Sequence, residues 1–271
     1  DGNPFVTASI TKDVADELRI NLMKCYYNDL KNLQKKLTFK ALQEPLNQLR
    51  NNLYTAMFDT TKNVGYSDIL VPLETIRDLL IKKYHGLYLK DLDYFIDKVK
   101  IFKTHFATLD IRQDHSMHVK VVSAILKKKG LIKENLSELS AAKLKNALLN
   151  KNFKLSPSDF REEIVKDTIQ NIQQLKEIQQ KNGEEGCNRY IISNSEDIFA
   201  VLKVFGLFRF CGFDVEEIKF DIAPLFETMN DLARYTRRLA EEKTGHLRFA
   251  MTPAFGLEVA PIAIANFSKL N

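Results

Sequence analysis

RYIISNSEDIFAVLKVFGLFRFCGFDVEEIKFDIAP, residues 189–224, is the stretch whose reading decides the fold class. Arg189–Ser193 is a short run rich in β-branched and aromatic side chains, the composition of a strand. Asn194 and Ser195 follow as capping residues, with Glu196 and Asp197 in the first turn of an apolar helix that ends at Cys211-Gly212. Ile218 to Ala223 reads as a second strand. A strand, a crossover helix and a next strand of these lengths make one βαβ unit, which implies parallel pairing.

Working outward, the second strand runs into Pro224-Leu225-Phe226-Glu227-Thr228 and a further helix from about Asn230. Upstream, the apolar run Phe106 to Leu109 leads into Asp110-Ile111-Arg112-Gln113-Asp114, and a helix is expected from about Ser116 to Lys129, stopped by Gly130. The chain therefore reads as three strand-to-helix units, at 106–129, 189–211 and 218–243. Before and between them the apolar residues keep helical spacing, and helices are expected over 11–37 with Thr11 as cap, 39–57, 68–83 and 89–103. One or two short helices fall within 135–150, with Ser140 a cap, and another helix starts at Ser156-Pro157-Ser158-Asp159 and stops at Asn182-Gly183, its Gln-rich end read as a solvated face. The class is α/β, helix-dominated, with about three parallel strands.

The composition is that of a globular, helix-rich chain: 45% hydrophobic, 28% charged, few Gly or Pro. Forty basic residues against 35 acidic ones leave a net charge of +5, too diffuse for a nucleic-acid footprint. The tightest basic run, Lys127–Lys129, sits where a helix C-terminus favours cations. Cys25, Cys187 and Cys211 form no CxxC pair and point to a reducing compartment, with Cys25 and Cys211 expected in the core. No apolar run is long enough for a membrane span, and no signal peptide is expected. The start at Asp1-Gly2-Asn3-Pro4, without Met, reads as a piece of something longer.

In parallel sheets, ligands gather at the C-terminal ends of the strands. Three candidates lie there. Arg112 has the planar, bidentate geometry suited to a phosphate or carboxylate; alternatively it forms an ion pair with Asp110 or Asp114 that only fixes the loop. Glu227 is either a ligand for a hard divalent ion or a helix N-terminal acid stabilised by the dipole. Asp114, His115 and His118 could hold zinc, as in a metal-dependent hydrolase, or the histidines be two partly exposed helix residues; the second reading is preferred because no further ligand pattern accompanies them.

Four segments in order resemble phosphoenolpyruvate carboxylases. Asp1-Gly2-Asn3-Pro4-Phe5-Val6-Thr7 is similar to the second half of that family's GGDRDGNPxVT motif, and Leu109–Asp114 with His118 to LDIRQ[DE]SxxH. Tyr190–Ser193 resembles YVIS, and Ala223–Thr228 with Asp231-Leu232 resembles PLFETxxDL. The resemblance covers residues 1–232; residues 233–271 do not match the family and read as a separate C-terminal tail.

The resemblance implies part of an eight-stranded α/β barrel from a cytoplasmic, homotetrameric lyase. Such enzymes carboxylate phosphoenolpyruvate with bicarbonate to oxaloacetate and phosphate, fix carbon dioxide into the tricarboxylic acid cycle, and use Mg²⁺ or Mn²⁺. It places Arg112 in the phosphoenolpyruvate site as a catalytic residue, Gln113 beside it in substrate binding, and Glu227 as a metal ligand. The family's TAHPT, GYSDSxKDxG and FHGRGG segments have no counterpart at the matching places, so the chain is expected to carry part of one site and to be inactive alone. The alternative is a non-catalytic helical interaction or regulatory module.

Overall fold

A computed structural model describes residues 6–58 and 63–241. Four long helices open the chain: α1 (Ala8–Lys36), α2 (Lys40–Phe58), α3 (Tyr66–Tyr84) and α4 (Leu89–Phe102). They bury a leucine-rich core of their own, in which Leu22, Met23, Leu30, Leu42, Leu46, Leu73 and Leu80 are sealed from solvent. Tyr26 lies in this core and donates its hydroxyl proton to the Lys103 carbonyl at 3.1 Å, which satisfies the polar end of a buried ring. The stripe of Leu22, Tyr26, Leu30 and Leu33 sends the neighbouring Cys25 outward.

The second half is built on a parallel sheet of β1 (Asp110–Asp114), β2 (Arg189–Ser193) and β3 (Asp221–Pro224), in that spatial order. Helices α5 (His115–Lys128), α6 (Ala141–Asn150), α7 (Glu163–Asn182) and α8 (Ile198–Phe210) share a second apolar core with Ile111, Tyr190 and Ile192 of the sheet. A last helix, α9 (Met229–Glu241), follows β3. The α/β, helix-dominated class with three parallel strands is as the sequence predicts.

Helix α1 belongs to both cores. Ala15 near its start packs with the sheet half, and Leu22 onward packs with the other helices. Lys12 pairs with Glu177 of α7 at 2.8 Å, Gln174 donates to the Ala8 carbonyl at 2.6 Å, and Asn182 to the Ala15 carbonyl at 2.9 Å. The Gln-rich end of α7 is thus a seam rather than a solvated face: Gln173, Gln174 and Gln179 are all half-buried and donate to carbonyls of other segments.

Several boundaries differ from the sequence reading, each for a local reason. The first helix starts a turn earlier, with Thr7 as cap in place of Thr11. Ser156–Asp159 closes a capping box around a short 3₁₀ turn, and α7 begins only at Glu163. Asn194 and Ser195 do not cap α8; Asp197 does, accepting from the Phe199 amide at 2.9 Å. The third strand is shifted to 221–224, because residues 215–217 form a 3₁₀ turn and Ile218 and Phe220 reach the core from a loop.

Cys25 is exposed, whereas Cys187 and Cys211 are buried free thiols, each pushed up to about 12 by burial. Native protein should therefore show one thiol reacting rapidly with Ellman's reagent, and three after denaturation. Three fast thiols in the native state would contradict this packing.

Candidate functional site

The run of charge at 110–114 is the first strand itself. Phe106 has a left-handed backbone (φ +63°), which breaks the extended run expected over 106–109, and pairing with β2 begins at Asp110. A strand can carry so much charge because, among the described residues, helices cover one face of the sheet only. Side chains alternate across that divide. Ile111, Tyr190 and Ile192 point into the core, while Asp110, Arg112, Arg189 and Asp221 lie on the opposite face.

On that face the register sets Asp110, Arg189 and Asp221 side by side, with Arg112, Ile191 and Ala223 in the next row. The Asp110 carboxylate sits between two guanidinium groups, 2.9 Å from Arg189 Nε and 3.5 Å from Arg112 Nη2. The ion pair that the sequence left open for Arg112 is therefore present, with Asp110 rather than Asp114. The Arg112 side chain is half exposed and its guanidinium carries five N–H donors. Gln113 falls on the helix-covered side of β1, half-buried, so it does not share a face with Arg112.

Glu227 lies in the loop between β3 and α9, exposed, at the same edge of the sheet as the C-terminal ends of β1 and β2. Thr228, not Glu227, caps α9, its Oγ1 accepting from the Asp231 amide at 3.2 Å. Among the described residues no ion pair competes for the Glu227 carboxylate. At ~4.8 Å per strand step, the β1 and β3 backbones are about 10 Å apart.

The histidines behave otherwise than expected. Both are buried, and His118 Nε2 hydrogen-bonds the Tyr190 hydroxyl at 3.0 Å. Asp114 caps α5 by accepting from the Ser116 amide at 2.8 Å, and its other oxygen accepts from Asn194 Nδ2 at 2.7 Å. With these partners taken, the trio has no arrangement for zinc, and no group of three or more His, Cys, Asp or Glu among the described residues could hold a metal ion. Partial burial opposes the Asp114 charge, but the hydrogen bonds from Ser116 and Asn194 outweigh it and hold the carboxyl below its usual range.

Burial lowers the pKa of His118 to about 3, helped by the nearby His115 and Lys203, and burial lowers that of His115 in the same direction. The folded protein keeps His118 neutral, while the unfolded chain takes up a proton near pH 6.5. Stability is therefore lost as pH falls from 6.5 toward 3, by about 2 kcal/mol at pH 5 from this residue. Denaturant titrations at pH 7.5 and 5.0 should show the loss, and His118→Gln should flatten it. Equal pH dependence in the two proteins would refute the assignment.

The sequence reading set Asp110 and Asn194 at strand ends, but Asp110 opens β1, level with Arg189 at the start of β2, and Arg189 was not singled out. A parallel pairing places residues of equal depth side by side, so the register of β1 on β2 was the missing information.

A family model described as phosphoenolpyruvate carboxylase matches residues 55–243, which include Arg112, Tyr190 and Glu227. The chain belongs to the phosphoenolpyruvate carboxylase family. Proteins named phosphoenolpyruvate carboxylase are similar to it: one from Synechococcus sp. is 31% identical over 163 residues, covering 57% of this chain and 15% of its own length. One from Thermosynechococcus vestitus is 32% identical over 161 residues, covering 55% and 16%. One from Aeromonas hydrophila is 29% identical over 262 residues, covering 86% and 29%. The chain thus spans less than a third of the length of these phosphoenolpyruvate carboxylases. The matched range leaves out Asp1–Thr7, and residues 1–5 of that segment lie outside the described residues. No described helix is long and apolar enough to cross a membrane.

Proposed function

We propose that this chain carries the phosphate-binding arm and one metal-binding arm of a phosphoenolpyruvate carboxylase site, on three strands of what would be an eight-stranded barrel. The observation that carries the reading is the placement of an exposed guanidinium, Arg112, at the middle of β1 rather than at its end, on the polar face of the sheet, with the exposed carboxylate of Glu227 in the loop that follows β3, two strands away. In a barrel, the helix-free face is the interior, and ligands meet the strands at their C-terminal ends.

In this reading Arg112 binds the phosphate of phosphoenolpyruvate through paired N–H donors, and Asp110 fixes the direction of its guanidinium. Gln113, on the other face, supports the strand rather than touching the ligand. Glu227 is chemically suited to Mg²⁺ or Mn²⁺: a single hard oxygen donor is the usual share of protein in a site where water and substrate oxygens complete the shell. A divalent ion there would stabilise the enolate from which bicarbonate-derived carbon dioxide is captured to give oxaloacetate. The reading extends to a cytoplasmic, homotetrameric parent. It keeps the division into 1–232 and 233–271, a boundary that falls inside α9, with residues 242–271 outside the described ones.

The purified 271-residue chain should bind Mn²⁺ and phosphoenolpyruvate yet form no oxaloacetate with bicarbonate, since nothing in it matches the family's TAHPT or GYSDSxKDxG segments. Detectable oxaloacetate would overturn the second half. Absence of binding of either ligand at millimolar concentration would favour the non-catalytic module instead.

A further inference from the structure

The C-terminal edge of the sheet is laced together by contacts that converge on one short turn. Asn194, directly after β2, holds a left-handed backbone (φ +55°), the conformation that Asn tolerates better than other side chains apart from Gly. This bend does two things. It turns the Asn194 amide toward β1, where Nδ2 donates to Asp114 Oδ2 at 2.7 Å. It also turns Ser195 inward, where the side chain is buried, Oγ donates to the Ile192 carbonyl at 3.3 Å, and the backbone amide donates to the Leu225 carbonyl at 2.9 Å. The Leu225 amide in turn donates to the Ile192 carbonyl at 2.8 Å, extending the β2–β3 ladder one residue past the strand.

Asp114 lies two residues after Arg112, and Leu225 two residues before Glu227. The residue directly after the middle strand therefore holds the β1 arm with its own amide, and its bend sets the Ser195 amide that holds the β3 arm. We propose that Asn194 is a positioning residue, whose bent backbone and amide hold the β1 and β3 loops in the relative placement that lets Arg112 and Glu227 face one ligand.

The inference rests on the reading of Glu227 as a metal ligand, and the experiment separates the two. NMR of the full 271-residue chain reads the clamp as hydrogen exchange at the Ser195 and Leu225 amides, and the site as line broadening at Glu227 and Thr228 by millimolar Mn²⁺. Three variants divide the roles of Asn194. Asn194→Gly keeps the bend and removes the amide, Asn194→Ala removes both, and Asp114→Asn with Asn194→Asp exchanges the partners of the same hydrogen bond. Asn is also a good helix cap, so the exchange leaves α5 capped.

Supporting residues around a metal ligand typically change affinity by about tenfold or more. The expected result is about tenfold weaker Mn²⁺ binding in Asn194→Ala, a smaller loss in Asn194→Gly, and recovery to within about threefold in the exchanged pair, with the far-ultraviolet spectrum unchanged throughout. Faster exchange in Asn194→Ala with unchanged Mn²⁺ broadening would overturn the positioning role and leave Glu227 in place. Failure of the exchanged pair to recover would overturn the role of the amide. No broadening at Glu227 in the unsubstituted chain would overturn the metal reading itself, and the inference with it.

Discussion

Replacing Gly206 with valine should lower the thermal midpoint by roughly 6–12 °C. Gly206 sits on the face of α8 that packs on α6, and a Cβ built there would lie 2.7 Å from Leu148 Cδ2, 3.1 Å from Leu148 Cβ and 3.2 Å from Leu148 Cα. The first contact could be relieved by a leucine rotamer. The last could not, because it is backbone, so the two helices must separate. Leu148 is fully buried in a core that also holds Ala147, Leu144 and Phe210, and there is no slack to take up the shift.

Overpacking of this kind costs about 1–3 kcal/mol, and a branched side chain against a helix backbone belongs at the upper end. For a chain of this size each kcal/mol is worth about 2–4 °C. The higher helix propensity of valine over glycine returns only a few tenths of a kcal/mol. Leu148→Ala alone should also destabilise by leaving a cavity, but the double variant should be more stable than the sum of the two losses, since the cavity receives the new methyl groups. A valine variant that melts with the parent would mean that α6 and α8 do not approach as described.

The second large effect concerns ligand binding. Arg112→Ala should weaken phosphoenolpyruvate binding by about 10- to 100-fold, the range expected when a charge-assisted pair of hydrogen bonds is lost. Arg189 is the informative control. It is equally exposed, shares the same face and pairs with the same carboxylate, at a shorter distance than Arg112 does. A general loss of positive charge would make the two substitutions alike. A directed contact from Arg112 would leave Arg189→Ala within about threefold of the parent. The fold should survive both changes, since exposed ion pairs contribute at most about 1 kcal/mol.

How much of this could be read from the sequence depends on where each element's apolar residues point. The β2–α8–β3 unit was legible because β2 and α8 are buried enough to read as apolar runs bounded by Gly212 and the polar residues after Ser193. The first strand was displaced because Ile111 is its one fully buried residue; four other positions look charged or polar, and the truly apolar run before it lies in a turn. The histidines were misjudged for the opposite reason. His115 and His118 fall on the same helical stripe as Val122 and Ile125, which is a core stripe, and the spacing could have shown this. What it could not show was the Tyr190 hydroxyl that makes the burial of His118 tolerable. Cys25 lies next to the fully buried Tyr26 in sequence and still points outward, a matter of 100° on a helix.

The site was legible only in part. Arg112 and Glu227 stood out by chemistry and by resemblance; Glu227 follows the C-terminal end of β3, while Arg112 sits mid-strand on β1. Arg189 had no signal of its own, and the contacts of Asp110 and Asn194 could not be read, because they come from the register of strands that are 75 residues or more apart in the chain for β1 and β2.

The account stands or falls on whether Arg112 and Glu227 act on one ligand. Titration of the 271-residue chain with phosphoenolpyruvate, with and without Mn²⁺, in the parent, Arg112→Ala and Glu227→Gln, tests this most directly. The account predicts that Mn²⁺ tightens phosphoenolpyruvate binding in the parent, that Glu227→Gln removes the tightening but keeps the metal-free affinity, and that Arg112→Ala weakens both. Equal phosphoenolpyruvate affinity in all three proteins, with no effect of Mn²⁺, would contradict it.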